Sequence, residues 1–135
     1  MRKNILFFII ILIIYILSYS SCASSPKNDG IYCRELNNLT MYLRFFKDGR
    51  VISVNIPGKY SDIIHWFNSA YAENTGEYSI EGYKISFTTS AKEGSVEYSG
   101  TIGKDNLILN IHSHINGYTQ KNIYFRFIPF HYEGD

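Results

Sequence analysis

The chain has 135 residues, of which 45% are hydrophobic and 19% charged, with 13 basic and 12 acidic side chains. That length accommodates one domain at most. A net charge of +1 with no like-charge block leaves no electrostatic footprint for nucleic acid or another polyanion.

The first element is a leader. Arg2 and Lys3 precede residues 5–17, ILFFIIILIIYIL, a run of 13 residues without a charge or a helix breaker. A bilayer-spanning helix needs about 20 apolar residues, whereas the apolar region of a signal peptide needs roughly 7–15. A signal peptide over 1–21 is therefore expected. The alternative is a tilted anchor that also uses Tyr15 to Ser20. Ser20 and Ser21 before Cys22 resemble a bacterial lipoprotein signal, although Tyr19 stands where an aliphatic residue is usual. The resemblance implies cleavage before Cys22, a thioether-linked diacylglycerol on its sulfur and, as a rule, an acyl chain on its amine. Two or three acyl chains hold a protein firmly at a membrane. Residues 22–29 then form the lipidated cysteine and a polar tether. Without residues 1–21 the chain carries 11 basic and 12 acidic residues.

The second cysteine, Cys33, lies in GIYCREL. If Cys22 carries lipid, Cys33 has no partner and is expected as a small buried hydrophobe. A Cys22–Cys33 bridge is the alternative.

Residues 30–130 are dense in Tyr, Phe, Ile, Val and Thr, broken at short intervals by Gly, Asn and Asp. A short strand is expected at Ile31–Arg34. MYLRFF and RVISVNI flank Lys47-Asp48-Gly49, a strong hairpin signal. GEYSIEG and GYKISFTTS meet at Glu81-Gly82. SVEYSGTI and NLILNIH meet across Gly103–Asn106. KNIYFRFIPF follows a loop containing Asn116-Gly117. Alternation places Tyr83, Ile85 and Phe87 on one face, and Val96, Tyr98 and Ile102 opposite Glu97, Ser99 and Thr101. Each strand is thus expected to have one wet and one dry face. About eight such strands would leave two exposed edges in an open sheet, and closure removes them. The expected fold is all-β, an antiparallel meander barrel of about eight strands, with a β-sandwich as the alternative. Residues 131–135 are a tail.

One segment departs from strand periodicity. SDIIHWFNSAYA, residues 61–72, has apolar residues at helical spacing, Ser61 as an N-cap and Asp62 in the first turn. A short helix capping one end of the barrel is expected. It either plugs that end or forms a lid with Trp66 as a contact.

Few residues point to catalysis. His112 and His114 are two apart, so a strand would put them on one face. A metal would need a third ligand from His65, His131 or a carboxylate. The pair is instead expected as a solvated tip, with no metal and no cofactor. No nucleophile elbow or phosphate loop occurs. Glu77, Glu81, Glu93 and Glu97 are expected on solvated faces, and no enzyme activity is expected. The aromatic load, 12 Tyr and nine Phe, either fills the core or lines a lumen. In the second case Trp66, Tyr78, Tyr83 and Tyr98 are the candidate ligand contacts.

FFKDGRV, GEYSIEGYKISFT and GTIGKDNLILN, together with the leader and Cys22, resemble the lipocalin-like lipoproteins of bacterial envelopes. In that group a Gly-x-Trp on the first strand packs against an Arg from a late strand. Here Gly30-Ile31-Tyr32 has Tyr in the Trp position, and Arg126 is the matching arginine. The resemblance implies a lipid-anchored protein of the cell envelope, on the periplasmic or cell-surface side. It implies non-catalytic binding of a small apolar ligand in the barrel, or of an envelope protein partner as an inhibitor or assembly factor. Loops 57–76 and 113–120 are the candidate surfaces for such a partner.

Overall fold

The computed structural model describes residues 24–58 and 73–130. The expected helix at 61–72 with Trp66, the leader, Cys22, and the tail with His131 lie outside the described residues. Eight strands run in order: β1 Gly30–Leu36, β2 Leu39–Phe45, β3 Arg50–Ile56, β4 Thr75–Glu81, β5 Lys84–Ala91, β6 Gly94–Ile102, β7 Asn106–Ser113 and β8 Thr119–Pro129. Each pairs antiparallel with the next, and β8 returns to β1, so the sheet closes into a barrel. Closure removes the sandwich alternative, and among the described strands each has a neighbour on both sides.

The turns follow local chemistry. The Phe46 amide donates to the Arg50 carbonyl at 2.9 Å, the Gly49 amide donates to Phe46 at 3.2 Å, and Gly49 has φ +93°. This is a three-residue hairpin loop whose last residue must be left-handed, hence glycine after Lys47-Asp48. Asp48 tightens it by accepting from the Arg50 amide and from Arg50 Nε at 2.8 Å. In the next hairpin Glu81 pairs with Lys84, so Gly82 and Tyr83 form the turn itself. Tyr83 therefore leaves the pleat and is 59% exposed, unlike Ile85 and Phe87, whose face it was expected to share.

The interior is solid with aromatic rings. Phe127 contacts Tyr32 at 5.1 Å, Tyr32 meets Phe45 edge-on at 5.6 Å, Phe45 meets Phe87 edge-on at 5.4 Å, and Phe87 stacks on Tyr98 at 4.6 Å. Leu43, Leu107, Leu109, Ile123 and Phe125 fill the space around this spine. Edge-to-face and offset-stacked pairs add to the gain from area burial alone. Of the two readings of the aromatic load, the filled core describes the lumen.

From β5 to the inner part of β8 each strand has one wet and one dry face. The first three strands do not. Ile31, Cys33, Tyr42, Phe46, Ile52 and Val54 form a second buried cluster on the outer face. Both faces of β2 and of most of β3 are buried there, so these strands show no wet and dry alternation. Cys33 is buried in this outer cluster, not in the lumen. Its cross-strand neighbour is Arg126, far away in the sequence.

The two ends of the barrel differ. At one end, tight turns and the segment before β1 close the opening. Ser24 donates to the Gly82 carbonyl at 3.1 Å, Pro26 is buried, and the Lys27 amide donates to the Tyr32 hydroxyl at 2.8 Å. The Lys27 ammonium pairs with Asp105 and lies 4.9 Å over the Phe127 ring. Residues 24–29 thus contact the closed end of the barrel through Ser24, Pro26 and Lys27. Lys27 and Phe127 also occupy the place expected for Arg126. Because Phe125 and Phe127 face inward, Arg126 must face outward, where it pairs with Glu35 at 2.8 Å.

Burial pushes the hydroxyls of Tyr98, Tyr32 and Tyr78 above their ordinary 10.0, and the Cys33 thiol above 9.0. Hydrogen bonds from Ser53 and Thr89 to Tyr98, from the Lys27 amide to Tyr32 and from Arg126 to Cys33 oppose the shift and do not cancel it. The folded state therefore holds these protons longer than the unfolded chain. Their stabilising contribution is full below the unfolded pKa values and is lost as pH rises. Unfolding monitored against pH is expected to show stability falling from about pH 9 upward. Tyr98→Phe should flatten the decline above pH 10. A stability flat from pH 8 to 11 would contradict the burial of these groups.

Candidate functional site

The other end of the barrel is the mouth, ringed by the β1–β2 turn, the chain leaving β3, the β5–β6 turn and the loop 114–118. Here the wall is less completely paired. The β1–β8 ladder stops at Cys33↔Arg126, and the β3–β4 ladder has only Arg50↔Glu77, Val51↔Gly76 and Ile52↔Thr75. A bulge in β8 contributes to the opening. Leu109 faces Ile123 but Ile111 faces Gln120, so β8 carries one extra residue. Asn122 absorbs it at φ +56°, and its amide donates to the Asn110 side chain at 3.0 Å. Bulges bend the strand that carries them and end regular pairing.

A cavity of about 260 Å³ opens at this mouth. Leu36, Leu39, Met41, Val96, Ile111 and Ile115 give it apolar walls, and Asn55, Tyr98, Ser113 and Tyr118 add polar groups. Tyr98 forms the floor, 2% exposed, with its hydroxyl 3.0 Å from Ser53 Oγ. Arg34 lies on the lumen face of β1 between Tyr32 and Leu36, and its Nε is buried with no hydrogen-bond partner among the described residues. At the rim Ile115 is 48% exposed and Tyr118 39%.

The candidate tyrosines do not converge. Tyr98 reaches the mouth cavity. Tyr78 lies against Phe45 at 5.2 Å, and its hydroxyl donates to the Phe46 carbonyl at 2.8 Å, towards the closed end. Tyr83 is exposed on the turn at the closed end. Met41, Val96 and Leu36 were missed as cavity residues because alternation marks a residue as inward without telling core from rim.

A second grouping lies on the outer wall of β6 and β7. Glu97 stands directly opposite His112, and the rings of His112 and His114 stack at 4.5 Å. His114 Nε2 is 2.7 Å from Glu97 Oε2. One ligand atom from each of the three residues lies within 4.8 Å of the others. Glu97 and His112 line a polar groove with Glu77, Asn110, Thr119 and Lys121. The sequence contained this pairing: counting outward along both strands from the Gly103–Asn106 turn puts Glu97 opposite His112.

By fold the protein is a closed, eight-stranded antiparallel β-barrel with meander connections, an architecture compatible with a lipocalin-like barrel. Comparison of the chain with protein-family models, with curated proteins and with solved structures finds no match.

Proposed function

We propose that the protein is a lipid-anchored, non-catalytic binding protein of the bacterial envelope, with a lipocalin-like barrel that takes a small apolar molecule at its mouth. The observation that carries this reading is the apolar cavity of about 260 Å³ above Tyr98. Ligand sites run from roughly 300 to 1,000 Å³, so the occupant is a ring or the end of a chain, not a whole lipid. The aromatic spine below leaves the lumen to side chains. Asn55, Ser113 and Tyr118 in the cavity wall offer polar groups for a polar head.

The leader and Cys22 supply the anchor in this reading. Only Ala23 separates Cys22 from Ser24, which is bonded to Gly82 at the closed end. Lipid on Cys22 would hold the closed end at the membrane and point the mouth away from it. A second reading, capture of an envelope protein, rests on Ile115 and Tyr118 exposed on the same rim.

Native mass spectrometry of the full chain, detergent-extracted from a bacterial host envelope, tests both parts. The expected spectrum shows a chain cleaved before Cys22 with added diacylglycerol, plus a reproducible further mass that denaturation releases. Val96→Trp should fill the cavity and remove that mass, and Cys22→Ala should leave an unprocessed chain without acyl groups. A bare mass after incubation with envelope lipid extract would overturn the ligand and favour the protein partner. A full-length wild-type chain retained in the membrane would make residues 5–17 a true anchor.

A further inference from the structure

We infer that Glu97, His112 and His114 form a surface site for a divalent transition-metal ion, of which Zn²⁺ is the natural probe. The chemistry of the donor set is the first argument. Two imidazoles and one carboxylate suit borderline ions such as Zn²⁺ and Cu²⁺ better than Mg²⁺ or Ca²⁺, which prefer all-oxygen shells.

Geometry is the second. Ligand atoms sharing one tetrahedral zinc stand about 3.4 Å apart, given metal–ligand bonds of about 2.1 Å. The three atoms here lie within 4.8 Å of one another, and His114 Nε2 and Glu97 Oε2 are already at 2.7 Å. Small rotations of exposed side chains close the remainder. The backbone need not move, because Glu97 and His112 are fixed opposite each other by the β6–β7 ladder. His114 is held next to them by its amide bond to the Ser95 carbonyl at 2.9 Å.

The third argument is the stacking of the two imidazoles at 4.5 Å and 22°. Residues two apart on an extended strand stand about 6.6 Å apart along it. These rings therefore lean together, with a carboxylate beside them, so the three side chains are already gathered at one spot. Three protein donors leave a fourth position to water, the open form of a zinc site. The site faces outward from the wall whose inner face, through Val96, Ile111 and Ser113, lines the mouth cavity. It does not rest on the proposed ligand.

Isothermal titration of Zn²⁺ into the tag-free, detergent-solubilised full chain provides the test. The expected result is one zinc per chain and a rise in melting temperature with zinc, as ligation of the folded state requires. Changing an outer-shell partner of a metal typically weakens binding 10–100-fold, so losing a direct ligand through His112→Ala, His114→Ala or Glu97→Gln should weaken it at least about tenfold. Because the three side chains are exposed, each variant should keep the metal-free melting temperature. His65→Ala and His131→Ala should bind as the wild type does. The proposal fails if zinc binds only at millimolar concentration. It also fails if binding survives in the His112→Ala/His114→Ala double variant, or is lost with His65 or His131.

Discussion

Phe45→Ala is expected to lower the free energy of unfolding by about 3–5 kcal/mol, as measured by urea or guanidinium titration of the full chain. Phe45 is fully buried and touches Tyr32, Tyr78 and Phe87, so it links both ends of the aromatic spine. Deleting its ring loses the transfer energy of the side chain and opens a void between three other rings that strands on several sides hold in place. Domains of this size are stable by only about 5–15 kcal/mol, so the variant should lose much of its margin. A loss under about 1 kcal/mol would mean that the interior yields readily. A yielding interior would place the proposed ligand site in the lumen and not at the mouth.

Gly100→Val is the second large effect. A Cβ on Gly100 falls onto the carbonyl oxygen of Ile108 and comes within 2.9 Å of the Leu109 Cα. Both obstacles are backbone of the adjacent strand, so no side-chain rotation relieves them. The β6–β7 ladder, which runs from Val96↔Ser113 to Ile102↔Leu107, would have to part near Gly100↔Leu109. Losses above 4–5 kcal/mol are rare for single substitutions, and this one is expected to reach about that size or to prevent folding. Gly117 provides the contrast. It has φ +72° but nothing within 4 Å of its Cβ position, so Gly117→Ala meets only the left-handed penalty of roughly 1–2 kcal/mol. If the two variants proved equally stable by thermal melting, the close approach of β6 and β7 at Gly100 would be refuted.

The same contrast between local and distant neighbours separates what could be read from the chain from what could not. Strand identity and turn position depend on residues a few places apart, and these were legible. RVISVNI is β3 from end to end, Asp48-Gly49 makes its hairpin, and Gly103–Asn106 and Asn116-Gly117 turn where expected. The burial of Cys33 was legible too, though not its place on the outer face. Alternation also held the signal for Arg126: Phe125 and Phe127 facing inward exclude an inward arginine between them. The family resemblance pointed the other way, and the pleat prevailed. Tyr83 was misplaced because parity fails inside a two-residue turn.

Sequence by itself determined the strands, the hairpins and the reason for closure, since a run of half-wet strands must hide two edges. It also marked Cys22 as the residue to test for an anchor. Tertiary structure decided what meets what. Register, one bulge at Asn122 and the return of β8 to β1 brought Cys33 to Arg126 and Lys27 to Asp105. They filled the lumen with Tyr32, Phe45, Phe87 and Tyr98, left an apolar cavity at the mouth, and completed a histidine pair with Glu97. The physical reason is range. A turn or a pleat is fixed by the dihedral preferences of adjacent residues. A barrel contact is fixed by the shear of the whole sheet, to which every strand contributes and which no short segment encodes.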